Sequence, residues 1–148
     1  MHILVVGGGM GGTILANNLA RRLSGELEQG SSKITMLSAS DKHMYQPGLL
    51  YVAVGKMSTS ELYRDQKSLL EPSIDFHVDP VEKFDLDNNS VTTKSGKKIS
   101  YDIICIATGS RGNAAGIPGL AENACQFYTE ADALAMYKKL QKFEGGKV

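Results

Sequence analysis

Gly7-Gly8-Gly9-Met10-Gly11-Gly12 follows the apolar run Ile3-Leu4-Val5-Val6. Gly7, Gly9 and Gly12 reproduce a GxGxxG spacing at a strand-to-helix junction. Residues of this type hold an anion rather than transform it. The first glycine permits a tight turn and the second leaves the backbone open to a pyrophosphate. The third lets a helix pack close to the strand. A helix opening there offers N–H groups without intrahelical partners and the positive end of its dipole. The spacing implies nucleotide binding; a glycine turn kept for packing alone is the plainer alternative.

The remaining chemistry-bearing residues are scattered. Cys105 lies inside an apolar strand and reads as a structural thiol. Cys125 lies in a loop before a helix and reads as an inert one. His2, His43 and His77 have no partner at metal-ligand spacing, so no metal is assigned. Lys138, Lys139 and Lys142 follow helical spacing as a solvated face. Arg111 follows the Thr108-Gly109-Ser110 turn, where it faces phosphate or solvent. Neither a nucleophile nor a general base stands out, so no residue is assigned a catalytic role.

Composition narrows the class. The 148 residues are 42% apolar and 22% charged, which is ordinary for a globular protein. The 16 basic and 16 acidic residues cancel, so nothing favours nucleic acid as a partner. Two cysteines are too few for a disulfide scaffold and suit a reducing cytoplasm. No run reaches the roughly 18 apolar residues of a membrane-spanning helix. The chain starts directly with a strand rather than a signal peptide.

The elements that must position the glycine turn follow from periodicity. Residues 2–6 and 33–37 read as strands, with a helix over 10–24 between them. That helix puts Ile14, Leu15, Leu19 and Leu23 on one stripe. A polar connection follows at 24–32. Strand, helix and strand make a right-handed βαβ unit. Residues 38–57 read as irregular and 58–70 as a helix capped by Ser60, ended by Pro72. A short strand follows at 74–78. Residues 80–86, 90–94 and 98–104 read as an antiparallel meander joined by Asp87-Asn88-Asn89 and Ser95-Gly96-Lys97. Its last strand continues into Ile103-Ile104-Cys105-Ile106-Ala107, apolar on both faces, as in a covered central strand. Arg111 to Asn123 reads as a loop. Thr129 caps a helix to about Phe143, with Ala133, Met136, Tyr137 and Leu140 on one face. Gly145-Gly146 stops it, and Lys147-Val148 starts another strand. The fold expected is α/β: a Rossmann-like parallel sheet with helices on one face and the three-stranded meander on the other.

With the glycine turn, the loop Tyr45-Gln46-Pro47-Gly48-Leu49-Leu50-Tyr51-Val52-Ala53-Val54-Gly55 and the strand Tyr101 to Ser110 give a specific order. The order resembles the FAD-dependent pyridine nucleotide-disulfide oxidoreductases. The loop, with Phe127-Tyr128-Thr129-Glu130 and Phe143-Glu144-Gly145-Gly146, is most similar to the sulfide:quinone oxidoreductases. Type II NADH dehydrogenases and flavocytochrome c sulfide dehydrogenases are the competing families.

The resemblance implies that FAD, rather than NAD, sits on Gly7, Gly8, Gly9, Met10, Gly11 and Gly12. It implies that Ser38 and Ala39 lie where many relatives place a ribose-binding Glu. It puts the backbone at Val81 near the adenine. Ala107, Thr108 and Gly109 would line the FAD by the pyrophosphate, and Pro47 would approach the flavin. Two departures stand out. Ser38 is not acidic and lies 26 residues beyond Gly12, where about 20 is usual; Asp41 is a substitute for the missing carboxylate. Relatives also run to more than twice this length, and their redox cysteine pair would lie beyond Val148. Residues 1–148 are therefore expected to be the FAD-binding, N-terminal part of a longer flavoprotein with two dinucleotide domains, inactive in isolation. The intact protein is expected to oxidise sulfide and reduce quinone, in the cytoplasm or peripherally on the cytoplasmic membrane. An NADH:quinone reductase and a non-catalytic nucleotide-binding fragment are the alternatives. An apolar loop at 45–54, left open in the fragment, would let it self-associate as a homo-oligomer.

Overall fold

A computed structural model describes residues 1–113 and 116–146. In chain order the elements are β1 (His2–Val6), α1 (Met10–Arg22), α2 (Ser24–Glu28), β2 (Lys33–Ser38), β3 (Lys42–Met44), α3 (Leu49–Ala53), β4 (Tyr63–Asp65), β5 (Ile74–Val78), β6 (Val81–Asp85), β7 (Ser90–Thr93), β8 (Lys98–Ser100), β9 (Ile103–Ile106), α4 (Leu120–Asn123) and α5 (Glu130–Gln141). Two units form. One holds Met1–His43 and Arg64–Gly109; the other holds Met44–Tyr63 and Ser110 onward. The chain leaves the first unit within β3 and returns within β4, which pair as a two-stranded sheet.

The first unit is built on β1. It pairs in parallel with β2, Ile3 opposite Ile34 and Val5 opposite Met36. On its other side it pairs with β9, Ile3 opposite Ile103 and Val6 opposite Ile106. β5 extends the sheet beyond β2, giving the order β5-β2-β1-β9. Alternation along β1 divides the core in two. Ile3 and Val5, with Ile34 and Met36, pack against Ala16 and Ala20 of α1. Leu4 and Val6, with Leu37, pack against Val91, Ile99 and Tyr101 of the meander. The sheet thus carries a helix on one face and the antiparallel β6-β7-β8 sheet on the other, as expected. Each buried Leu, Ile or Val side chain contributes about 1.5–3 kcal/mol.

Several expectations need correction. The buried stripe of α1 is Gly12, Thr13, Ala16 and Ala20. Ile14 points outward and is 55% exposed, while Leu19 and Leu23 pack at the core's rim. Small residues win the inner face because they let the helix approach the sheet. The polar connection holds the short helix α2. The expected helix over 58–70 does not form. Ser58 and Glu61 make a reciprocal capping box that starts one 3-10 turn over Thr59–Leu62. The chain then extends as β4, and a second 3-10 turn covers Lys67–Leu69. The supposed irregular stretch contains β3, a 3-10 turn over Gln46–Gly48, and α3. β8 and β9 are separate strands, broken at Tyr101-Asp102. β9 is not central among the described residues: it lies at the sheet edge, with Ile106 55% exposed.

The second unit has its own apolar cluster of Leu49, Val52, Ala53, Leu62 and Ala133, with Met44, Met57, Tyr63 and Met136 against it. α3 and α5 supply its two main walls. Leu49 and Val52 are therefore buried in their own unit, while Leu50, Tyr51 and Val54 face outward. Thr129 caps α5 by a reciprocal pair with Asp132. Ala133 is the buried residue of the α5 face expected from the sequence, with Met136, Tyr137 and Leu140 half-buried beside it. The Tyr63 hydroxyl donates to the Glu130 carboxylate. That bond, then burial and the carboxylate's charge, push the Tyr63 pKa up. The expected strand start at Lys147-Val148 lies outside the described residues.

Candidate functional site

The glycine turn sits where β1 ends and α1 begins, beside the end of β9. The sheet order changes direction here: β2 and β5 run outward on one side of β1, and β9 lies on the other. Crevices at such switch points, outside the carboxyl ends of parallel strands, are where open α/β sheets bind ligands. Four of the five glycines at the turn, Gly7, Gly8, Gly9 and Gly12, separate by role. Gly7 has φ +116°, and a β-carbon there would overlap the Ala107 carbonyl. A β-carbon at Gly12 would overlap the Gly7 carbonyl, and one at Gly8 would strike the Ser38 hydroxyl. Gly9 differs. Its φ of −73° suits any residue, and a β-carbon there meets nothing within 4 Å. Packing therefore explains Gly7, Gly8 and Gly12 but not Gly9, which is exposed.

The electrostatics match an anion. The first N–H groups of α1 have no intrahelical acceptor. The first intrahelical bond runs from the Thr13 N–H to the Gly9 carbonyl, at 3.0 Å. No acidic residue occupies the first turn, and Arg21 and Arg22 occupy the last. The positive end of the dipole is therefore not answered by a carboxylate of its own helix. An open backbone with free donors is the cradle that a pyrophosphate requires, and the residues present fit that group.

The other expected site residues fall into three groups. Ala107 joins the turn: its N–H donates to the Val6 carbonyl at 2.7 Å, and its own carbonyl abuts Gly7. Thr108 and Gly109 follow it, exposed, at the end of β9. Ser38 ends β2 and is buried; its Oγ accepts the Ser40 N–H at 3.2 Å, closing a local turn. Ala39 follows on the surface. Asp41 is exposed, with its carboxylate 3.9 Å from Lys42 Nζ. Val81 begins β6, half-buried at the meander face of the sheet. Pro47 belongs to the second unit, exposed in its 3-10 turn. Cys105 is half-buried against the helix-side core, and Cys125 is exposed.

Two residues in the first unit, Gln66 and Thr13, were not expected at the site, and His43, named above without a partner, joins them. Gln66 is fully buried. Its Nε2 donates to Thr13 Oγ1 at 2.9 Å and lies 3.9 Å from Met36 Sδ. His43 Nδ1 lies 3.1 Å from Gln66 Oε1 and 3.1 Å from the Gly8 carbonyl. The Thr13 hydroxyl donates to the same carbonyl at 3.3 Å. These side chains join α1, β3 and the segment after β4 directly beneath the glycine turn. No motif signals them: Gln66 stands between Asp65 and Lys67 in a polar stretch, which gives no sign of its burial.

The chain is similar to known proteins over most of its length. A sulfide-quinone reductase of Aquifex aeolicus is 37% identical over 142 residues, 95% of this chain and 31% of its own length. The X-ray structure of the sulfide:quinone oxidoreductase from that bacterium superposes with a TM-score of 0.77 at 33% identity, over 95% of this chain and 32% of that one. An NADH dehydrogenase-like protein of Mycobacterium tuberculosis is 30% identical over 98% of this chain and 36% of its own length. The chain thus spans about a third of the relatives it matches. Residues 1–143 match the model of the pyridine nucleotide-disulphide oxidoreductase family. The strand order, the packed and open glycines and that match agree: the chain belongs to the pyridine nucleotide-disulphide oxidoreductases.

Proposed function

We propose that residues 1–148 form the FAD-binding domain of an oxidoreductase of the sulfide:quinone type. The observation that carries the reading is Gly9, the one glycine of the turn's GxGxxG triad that neither backbone conformation nor packing demands. Its open backbone lies at the N-terminus of α1, where a phosphate group meets donors and no carboxylate. The ADP half of FAD rests on Gly7 to Gly12 and Ala107 to Gly109, with Ser38, Ala39 and Val81 toward the ribose and adenine. Pro47 serves the flavin end. FAD, when bound, would supply two-electron transfer between a donor and an acceptor. The residues of this chain bind and orient; none of them is assigned to the chemistry. Quinone is dissolved in membranes, so the intact protein works peripherally at a membrane surface. Among the described residues no helix is long and apolar enough to cross one.

Calorimetric titration of ADP tests the reading. Wild type binds, and Gly9→Val weakens binding at least tenfold (about 1.4 kcal/mol) with stability unchanged. Equal affinities overturn it. A second reading, NADH:quinone reductase, is favoured by the mycobacterial relative's name and identity. Anaerobic mixing of the whole FAD-loaded protein with sulfide or with NADH separates the two. Bleaching of the flavin by sulfide alone supports the first, and bleaching by NADH alone the second.

A further inference from the structure

We propose that His43 and Thr13, held by Gln66, are positioning residues that fix the Gly8–Gly9 peptide so that its N–H faces the bound pyrophosphate. The inference rests on the nucleotide reading above and names residues that act behind it.

The Gly8 carbonyl is the anchored group. It lies 3.1 Å from His43 Nδ1 and 3.3 Å from the Thr13 hydroxyl, both in the partly buried layer under the turn. A carbonyl only accepts, so His43 Nδ1 carries its proton toward Gly8. Gln66 Oε1, also at 3.1 Å from Nδ1, is a second acceptor for the same proton. Gln66 Nε2 donates to Thr13 Oγ1, which leaves the threonine proton for Gly8. His43 Nδ1 also lies 3.5 Å from Thr13 Oγ1, so the His43 N–H and the Thr13 hydroxyl are the two donors within reach of the Gly8 carbonyl.

The peptide bond converts that into an outward donor. A trans peptide is planar, and its C=O and N–H point in opposite directions. With the Gly8 carbonyl turned toward His43 and Thr13, the Gly9 N–H of the same peptide points the opposite way, and a β-carbon at Gly9 meets nothing within 4 Å. Gly8 and Gly9 have no side chains to fix that plane, and glycine peptides turn over readily. Anchoring the carbonyl lowers the ordering cost of binding, because the donor is in place before the anion arrives. Gln66 suits the central role because it is fully buried and presents an acceptor and a donor at once.

The test measures ADP affinity by calorimetry and thermal stability in parallel. Asparagine places its Nδ2 the same number of bonds from Cα as His43 Nδ1; glutamine places its amide where the far ring nitrogen lies. His43→Leu and His43→Gln should weaken ADP binding about tenfold, while His43→Asn stays within about threefold of wild type. Thr13→Val should weaken binding and Thr13→Ser should not, which keeps the idea testable if a His43 variant fails to fold. Wild-type affinity in a folded His43→Leu and Thr13→Val overturns the positioning role and leaves the nucleotide reading standing. Equal losses in His43→Asn and His43→Leu also overturn it, since the ring would then act by packing. A wild-type chain that binds no ADP overturns the nucleotide reading itself, and this inference with it.

Discussion

Replacing one hydrogen of Gly12 by a methyl group forces the Gly7 carbonyl to move, because the new carbon would occupy its place. The Gly7 carbonyl is backbone, held between the β1 end and α1, so it yields only with its neighbours. Gly12→Ala should destabilise the protein by about 1–3 kcal/mol. Gly11 is exposed in the same helical turn with nothing around its β-position. Gly11→Ala should stabilise by roughly 0.5–1 kcal/mol, because alanine costs less backbone entropy. Urea denaturation of the two variants reads this contrast, and similar effects for both would count against the packing described. The sequence already assigned the packing role to Gly12 from spacing alone, because motif glycines encode local geometry. It could not rank His43 or Gln66. Their meaning comes from contacts 35 and 53 residues distant along the chain, to Gly8 and Thr13.

Elements differ in how much of their shape is local. The continuous apolar run of β1 marks a buried strand, and the structure buries Ile3, Leu4, Val5 and Val6. Thr129 likewise announces the start of α5, and the structure adds Asp132 as its reciprocal partner. The helix expected over 58–70 failed because its capping box supports only one turn. After Leu62 the chain takes extended geometry as β4, pairing with β3. Ile14 misled for a related reason: helical periodicity finds a stripe, but the close approach to the sheet selected alanine, threonine and glycine instead. The β2–β5 ladder offers a pH test at this scale. Asp75 Oδ2 lies 2.8 Å from Lys33 Nζ, and its Oδ1 lies 2.9 Å from His77 Nε2. Burial acts to raise the Asp75 pKa, but the bonds from Lys33 and His77 together outweigh it and hold the carboxyl below its usual range. A depressed carboxylate stabilises above its unfolded pKa and loses that contribution as pH falls through the folded value. Both sides are substantially exposed, so screening keeps the effect small. Asp75→Asn should cost about 0.5 kcal/mol at pH 7 and nothing near pH 2, by urea denaturation at each pH. A constant cost at both pH values would mean that the charge is not the cause.

At the scale of the molecule, the residues assigned to phosphate, ribose and adenine all belong to the first unit, and only Pro47 of the second is assigned to the flavin. The chain also spans about a third of its relatives' length. FAD should therefore bind no more than about tenfold tighter than ADP, since the added ring gains few enclosing contacts. Competition calorimetry gives the ratio. A hundredfold preference for FAD would show that this chain encloses the flavin as well. The sheet register adds a consequence for how the protein is made. β1 is synthesised well before the strand that flanks it opposite β2: the His2 N–H bonds to the Asp102 carboxylate across 100 residues, and Ile3 lies opposite Ile103. At elongation rates of about 5–20 residues per second, one edge of β1 stays open for roughly 5–20 s of synthesis. β2 and α1 cover the rest of it much sooner. The nascent chain thus passes through a stage in which β1 and β2 are paired, the glycine turn lacks its Ala107 wall, and an apolar strand edge is available to chaperones or to a neighbouring nascent chain.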